Sequence, residues 1–396
     1  MNAGIYIHIP FCKSRCSYCD FATDVYRSNN AVERYVNALC GEIEEFLPQM
    51  NADHADNEGF SDLRFPRLSV VSSFSHIDTI YFGGGTPSLL TPEQVEKILD
   101  QVNLKFDISN VAEITMEMNP ATVTPETLSA YRSLGVNRAS FGVQTFNDRD
   151  LKLLARGHDA NDARMTFKML REAGFDNISF DLIAGLPDQT LIDWSKNLDE
   201  AVSLSPEHLS LYLLEVHQGT PLAEQIRSRR RSEPDPELAA EMYEMMLDRL
   251  ATAGYDQYEI SNFSRHGFES RHNTKYWTLD PVFGFGVSAH SFDGRERHAN
   301  ERDTDKYVEM IETHGSAETS RETIDIASEY VFLGLRLEDG VNLGQYAELF
   351  GEDLIEKHRD EISRLLDSDL IEIDRDLIKL TRKGKLFSNE VFAVFV

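Results

Sequence analysis

The sequence predicts an α/β protein. It has an incomplete barrel of six β/α units over residues 1–230, then a mainly helical C-terminal region with a winged-helix-like tail. Two observations carry this. Short β-type runs alternate with helical runs through roughly the first 215 residues. From Asp325 the pattern changes to three helices followed by two short β runs. Six strand–helix repeats imply a parallel sheet, and six where a closed barrel has about eight leave it open on one side.

The elements follow in order. Gly4–Ile9 is the first strand, and Ala31–Leu47 has helical spacing. Ile77–Phe82 is the second strand, with a helix over Pro92–Val102 behind a Thr91 cap. Ala112–Met118 is the third, and Thr124–Ser133 repeats the Thr-Pro start. Asn137–Val143 precedes helices near Asp148–Leu154 and Asp159–Ala173. Asn177–Ile183 precedes Leu191–Ser203, and His208–Leu214 is the sixth strand. The polar stretch Asn51–Ser75 breaks the rhythm and reads as a surface insertion. Arg227–Pro236 is charged, carries two prolines and marks a boundary. Residues 231–324 cover or link the barrel, with a helix over Glu237–Ala253, a strand near Gln257–Ile260 and a glycine-rich turn at Gly284–Val287. Residues 325–396 form the tail, with helices Ala327–Leu335, Leu343–Leu349 and Leu354–Leu366 and β runs Leu370–Ile373 and Leu377–Leu380.

Composition narrows the function. The chain carries 67 acidic against 39 basic residues, a formal net charge of −28. Such a surface repels phosphate backbones and anionic headgroups, so nucleic acid is not an expected partner. The one basic run, Arg227-Ser228-Arg229-Arg230-Arg231, reads as a solvated helix end or linker. No stretch approaches the ~20 apolar residues that span a bilayer, so stable membrane insertion is not expected. The start lacks a basic segment of the secretory type, and its apolar run stops at Pro10. Three of the four cysteines fall within eight residues, which is no disulfide framework and points to a metal site in a reducing cytoplasm.

That site is Cys12-Lys13-Ser14-Arg15-Cys16-Ser17-Tyr18-Cys19, directly after the first strand. Three thiolates suit three irons of a cubane cluster and leave the fourth iron open. A Cys3His zinc site with His8 is the alternative, although structural zinc usually takes two separated ligand pairs. Cys40, within a helix, reads as a buried apolar cysteine. Other polar or glycine residues gather at the carboxyl ends of the strands, where parallel barrels place their sites: Gly83-Gly84-Gly85-Thr86, Glu117, Gln144, Asp181 with Gly185, and Glu215. The glycines admit close backbone approach to a ligand. Glu117 and Asp181 suit an amine or ribose hydroxyls, and Arg156 a carboxylate.

These residues carry a resemblance. Tyr6-Ile7-His8-Ile9-Pro10-Phe11-Cys12, the cysteine triplet, Phe82–Pro87, Gly142–Phe146 and Asp181–Pro187 are similar to the oxygen-independent coproporphyrinogen III oxidase group of radical S-adenosylmethionine (SAM) proteins, over nearly the whole chain. The resemblance implies a [4Fe–4S] cluster on Cys12, Cys16 and Cys19, and SAM on its open iron. A reduced cluster there cleaves SAM to a 5′-deoxyadenosyl radical. It further implies that Tyr6, Tyr18, Gly84 and Glu117 contact that SAM, and that Gly85, Thr86, Gln144, Arg156 and Asp181 match positions used for a second one.

Two features depart from the oxidases. Phe21 stands where they have a further cysteine, and only three residues precede the first strand, where they carry a longer segment. Both match the HemW subgroup of haem chaperones, as does His272-Asn273-Thr274-Lys275-Tyr276-Trp277 as its HNxxYW motif. The resemblance implies haem, or a porphyrin, as ligand, haem-accepting apoproteins as partners, and an electron donor. Imidazole is a standard axial ligand of haem iron, and His272 is the candidate, with His290 its rival. The other reading of His272 is a histidine hydrogen-bonded in a packed aromatic corner. The alternative function is coproporphyrinogen III decarboxylation, which calls for basic residues such as Arg138 and Arg156 at the rim.

Overall fold

Six strands pair in parallel through the first half of the chain. They are β1 (Asn2–Ile9), β2 (His76–Gly84), β3 (Asp107–Met118), β4 (Arg138–Gln144), β5 (Ile178–Ala184) and β6 (His208–Leu213), hydrogen-bonded in that order. The computed structural model describes residues 2–26, 28–46 and 76–396. The insertion expected at Asn51–Ser75, and the last residue of the first expected helix, lie outside them.

Behind the strands run α1 (Asn29–Glu45), α2 (Pro92–Lys105), α3 (Pro125–Ser133), α4 (Asp148–Leu153), α5 (Ala160–Glu172) and α6 (Leu191–Leu204). Their starts are set locally. Thr91, Thr124, Asp159 and Thr190 each accept from the backbone N–H three residues on, and the side chain there bonds back to the cap. Each such box satisfies two otherwise orphaned donors. One apolar core runs through the strands and these helices and takes in Trp194, Phe141 and Phe180.

After α7 (Pro221–Arg227) and α8 (Pro236–Thr252) the sheet grows at both edges. An antiparallel pair, β7 (Asp256–Glu259) and β8 (Asn262–Ser264), extends it beyond β6. Following α9 (Arg271–Trp277), β9 (Val282–Phe285) pairs in parallel with the outer side of β1. Antiparallel β10 (His290–Phe292), β11 (Glu296–Asn300) and β12 (Glu318–Thr323) continue from it, so the described sheet has twelve strands and stays open. The glycine-rich turn expected at Gly284–Val287 is corrected in part. Gly284 and Phe285 are strand, and a Cβ on Gly284 would lie 2.3 Å from the His290 carbonyl oxygen of the neighbouring strand. Gly286, at φ +102°, makes the turn.

The tail has its own core, including Val331, Leu354, Ile362 and Phe392, and a three-stranded sheet of Val341–Asn342, Leu377–Leu380 and Ile371–Asp374. The winged-helix expectation is met, with the third helix broken at His358 into Leu354–Lys357 and Arg359–Asp367. No helix among the described residues is long and apolar enough to cross a membrane.

Helix α9 is clamped against the first three strands. Glu113 of β3 accepts from the Arg271 and His272 backbone N–H groups. Asp78 of β2 meets Lys275 Nζ at 2.8 Å and Arg271 Nη2 at 3.1 Å. Burial alone would raise the Asp78 carboxyl, but the two cations hold it below the usual carboxylate range. Asp78→Ala strands the buried Lys275 ammonium, and removing one member of a buried pair costs about 3 kcal/mol or more. Urea denaturation is expected to show that loss, and a change under about 1 kcal/mol would mean the clamp is only a surface pair.

Candidate functional site

The cysteine loop hangs from the carboxyl end of β1 and is closed by a two-residue parallel ladder, Phe11–Cys12 with Asp24–Val25. Asp24 N–H donates to the Pro10 carbonyl and Tyr26 N–H to the Cys12 carbonyl, each at 2.8 Å. Its middle is pinned to the barrel. Ser17 N–H donates to the Leu154 carbonyl at 2.9 Å, and its hydroxyl to the Leu153 carbonyl at 3.0 Å.

Two donors reach the sulfurs. The Thr86 hydroxyl lies 3.6 Å from Cys12 Sγ, and Arg156 Nη1 lies 3.4 Å from Cys16 Sγ. Asn119 joins them, donating from Nδ2 to Thr86 Oγ1 at 2.7 Å and accepting from Arg156 Nη2 at 2.5 Å. Arg156 also reaches the Gly142 carbonyl at 2.8 Å and the Tyr18 hydroxyl at 3.5 Å. Residues from the segments after β2 and β3 and the loop after α4 thus meet at the thiols, with β4 holding Arg156 through the Gly142 carbonyl. Thr86 and Arg156, expected beside a second SAM, touch Cys12 and Cys16. Asn119 escapes a sequence reading because only the topology joins its two partners. Its one signal is its place two residues beyond Glu117.

Among the described residues no three His, Cys, Asp or Glu side chains are gathered closely enough to hold a single metal ion. His8 is taken: Nδ1 meets the Tyr6 hydroxyl at 3.0 Å and Nε2 the Ala22 carbonyl at 2.9 Å. The Cys3His zinc alternative therefore has no histidine. Cys40 is buried on α1 beside the Lys97 carbonyl.

The carboxylates stand further round the rim. Glu117 accepts from the Tyr81 hydroxyl at 2.8 Å and from the Gly84 N–H at 3.1 Å. Burial pushes its carboxyl up to about 7, with the nearby Asp181 adding to the rise. Asp181 is pushed up to about 6 by burial, against the pull of Arg138 and hydrogen bonds to Ser210 and Ser140. Arg138 is 1% exposed, inside the barrel between these groups. It is not a rim cation open to a propionate, as the alternative function required. Gln144 takes φ +66°, and its amide folds over Gly142. Glu215 points outward, with His217 at 3.5 Å.

The glycines serve packing first. A Cβ on Gly83 would meet the Tyr6 ring, one on Gly84 the His8 ring at 2.6 Å, and one on Gly85 the Pro10 carbonyl oxygen at 2.6 Å. The Gly85 N–H donates to the Ile9 carbonyl at 2.7 Å. With the Gly84 N–H on Glu117, both amides expected to approach a ligand are already engaged.

His272 is 1% exposed. Its Nδ1 meets Thr79 Oγ1 at 2.9 Å and its Nε2 the Tyr276 hydroxyl at 3.1 Å. The ring stacks on Tyr81 at 5.0 Å and faces Tyr6 at 6.4 Å. Burial, then the charges of Lys275 and Arg138, lowers its pKa to about 3, so it is neutral. Both nitrogens are bonded, and the ring sits in the packed aromatic corner of the other reading. His290 is exposed on the short strand β10.

The open parallel barrel, with three cysteines on the loop after its first strand and carboxylates at its rim, defines a radical SAM protein. The model of the radical SAM superfamily matches residues 69–201, and that of the HemN C-terminal domain matches 322–387. The chain is 36% identical over 397 residues to the heme chaperone HemW of Bacillus subtilis (strain 168), covering 99% of this chain and 98% of that protein. It is 32% identical to the heme chaperone HemW of Lactococcus lactis, covering 99% and 96%. The radical S-adenosyl methionine domain-containing protein 1, mitochondrial, of Danio rerio is 32% identical, over 89% and 77%. The coproporphyrinogen III oxidase HemN of Escherichia coli shares the fold, with a TM-score of 0.82 at 23% identity, covering all of this chain and 90% of that one. The chain belongs to the HemW family of radical SAM proteins.

Membership brings a [4Fe–4S] cluster and SAM, and the site fits them. A hydroxyl and a guanidinium aimed at two of the three sulfurs are the donors that a thiolate-held, negatively charged cluster calls for.

Proposed function

We propose that this chain binds haem and transfers it to apoproteins, with a [4Fe–4S] cluster on Cys12, Cys16 and Cys19 and SAM on its open iron. Phe21 carries the reading. It is 66% exposed beside the cysteine loop, at the position where the oxidases have a further cysteine. Full-length kinship with heme chaperones supports the same choice. Arg138 is enclosed and Arg156 engaged, so neither of the two cations that decarboxylation calls for is free for a propionate.

Tyr6, Tyr18, Gly84 and Glu117 line the side of the rim proposed for cluster-bound SAM, with Gly85, Gln144 and Asp181 beyond. The bound group supplies reductive cleavage of a sulfonium bond. The chain's part is to orient it, with Glu117 accepting from its amine or hydroxyls. Haem ligation by His272 requires Tyr276 to swing off Nε2. Tyr276 is 38% exposed and is the outermost ring on that side, so it is the group that can leave.

Anaerobic reconstitution followed by haemin titration tests the reading. A stoichiometric Soret shift without loss of propionates from coproporphyrinogen III is expected. SAM-dependent decarboxylation would replace this reading with the oxidase.

A further inference from the structure

The basic run that the sequence presents as solvent-facing builds a shaped surface. Arg227, Arg229, Arg230 and Arg231 line an open concavity of about 660 Å³ together with Ile226, Ser232 and two carboxylates, Asp188 and Glu233. Arg227 pairs with Glu224, and Arg230 Nε donates to the Ser228 hydroxyl at 2.9 Å. Among the described residues Arg229, Arg230 and Arg231 have no carboxylate partner and all are exposed. They are held in place by backbone. Arg229 N–H donates to the Ile226 carbonyl, and the Arg230 and Arg231 N–H groups both donate to that of Gln225. With Arg227 paired, three guanidiniums without a carboxylate partner outnumber the two lining carboxylates, a local excess of positive charge on a chain of net charge −28.

The concavity is mechanically joined to the cysteine loop. It lies at the carboxyl end of α7, whose first turn begins where Leu222 N–H donates to the Ser17 carbonyl at 2.8 Å, between Cys16 and Cys19. Leu222 and Ile226 pack with Leu153, Leu154, Ile183 and Tyr18 in one small apolar cluster. Seven helical residues span about 10 Å, so one short, packed helix separates the arginines from the proposed cluster.

We propose that Arg229, Arg230 and Arg231 dock an acidic one-electron carrier that reduces the cluster. The proposal rests on the cluster reading above. An acidic carrier is repelled by most of this surface and attracted here, which also orients its redox centre toward the loop. In the step, one electron leaves the carrier's flavin hydroquinone, which becomes the semiquinone, and enters the oxidised cluster.

The test uses the full chain and an acidic flavodoxin as probe. Binding of the oxidised flavodoxin to cluster-free chain is measured first, across a salt series. Arg229→Glu/Arg230→Glu/Arg231→Glu is expected to weaken it about tenfold or more at low salt, and the difference to vanish as screening shortens. Arg→Gln at the same positions gives a smaller loss and guards against misfolding. The same change of net charge on the tail, as Arg359→Glu/Arg364→Glu/Lys383→Glu, is expected to do little. With reconstituted chain, bleaching by reduced flavodoxin slows in the arginine variants while bleaching by dithionite does not. Equal binding by parent and arginine variants, or equal losses in the tail control, overturns the proposal. So does a variant that loses affinity for anionic vesicles or RNA but not for flavodoxin. If dithionite bleaches no chain at all, it is the cluster reading that has failed.

Discussion

Cys16→Ala is expected to abolish the iron–sulfur absorption of the reconstituted protein and to take bound iron from about four per chain to near zero. Cys16 has no substitute. Of the other cysteines, Cys12 and Cys19 are already committed in the proposed site, and Cys40 is buried on α1. His8 has both ring nitrogens bonded, and His158, which lines the same cavity as Cys16, has its Nε2 on the Val143 carbonyl. The loop cannot re-form around a different ligand set either, because Ser17, next in the chain, is held by three hydrogen bonds to the elements around it. Cys12→Ala and Cys19→Ala are expected to match it, and Cys40→Ala to keep full iron. Circular dichroism should show an unchanged fold in the first three, since Cys12, Cys16 and Cys19 are only partly buried. Full iron content in Cys16→Ala would end the assignment of the site.

The reason this prediction was available from sequence is that ligand spacing is local. Three cysteines in eight residues, after an apolar run, stay together whatever the rest of the chain does. The six strand–helix units were legible for a related reason: buried parallel strands are continuous apolar runs, and each helix start carries its own cap. The outer strands had no such signal. Glu296–Asn300 and Glu318–Thr323 are polar and lie at the sheet's edge, half-buried or exposed, so no alternation marks them. They are strands because β9 and β10 present an edge to pair with, and that is a property of the assembled sheet.

The site divides along the same line. Glu117 and Asp181 were visible as acids at strand ends, yet Arg138, the buried cation they share, read as a rim residue. Its position at the amino end of β4, away from the carboxyl-end rim, was the signal that it lies inside the barrel. Glycines at 83–85 were visible as a motif, but their meaning was set by what packs against them, the rings of Tyr6 and His8 on the adjacent strand.

His272 and Tyr276 make the sharpest remaining contrast, because packing and ligation predict opposite signs for one pair of variants. Removing the imidazole leaves a cavity under Tyr81 and an unpartnered Thr79 hydroxyl, so His272→Ala is expected to cost about 2–4 kcal/mol of stability. That loss follows from burial alone and says nothing about haem. Tyr276→Phe keeps the ring and deletes only the hydroxyl on Nε2, a net cost of about 1 kcal/mol. If His272 ligates haem once Tyr276 has moved, that same hydrogen bond opposes binding, and its removal should tighten haem about fivefold. The variant would then be less stable without haem and bind it better, a combination that simple damage to the fold does not produce. His272→Ala, titrated at a temperature where circular dichroism shows it folded, should lose the Soret shift. Unchanged haem affinity in both variants would place the ligand elsewhere and leave His272 as the centre of an aromatic column running from the HNxxYW helix to Glu117.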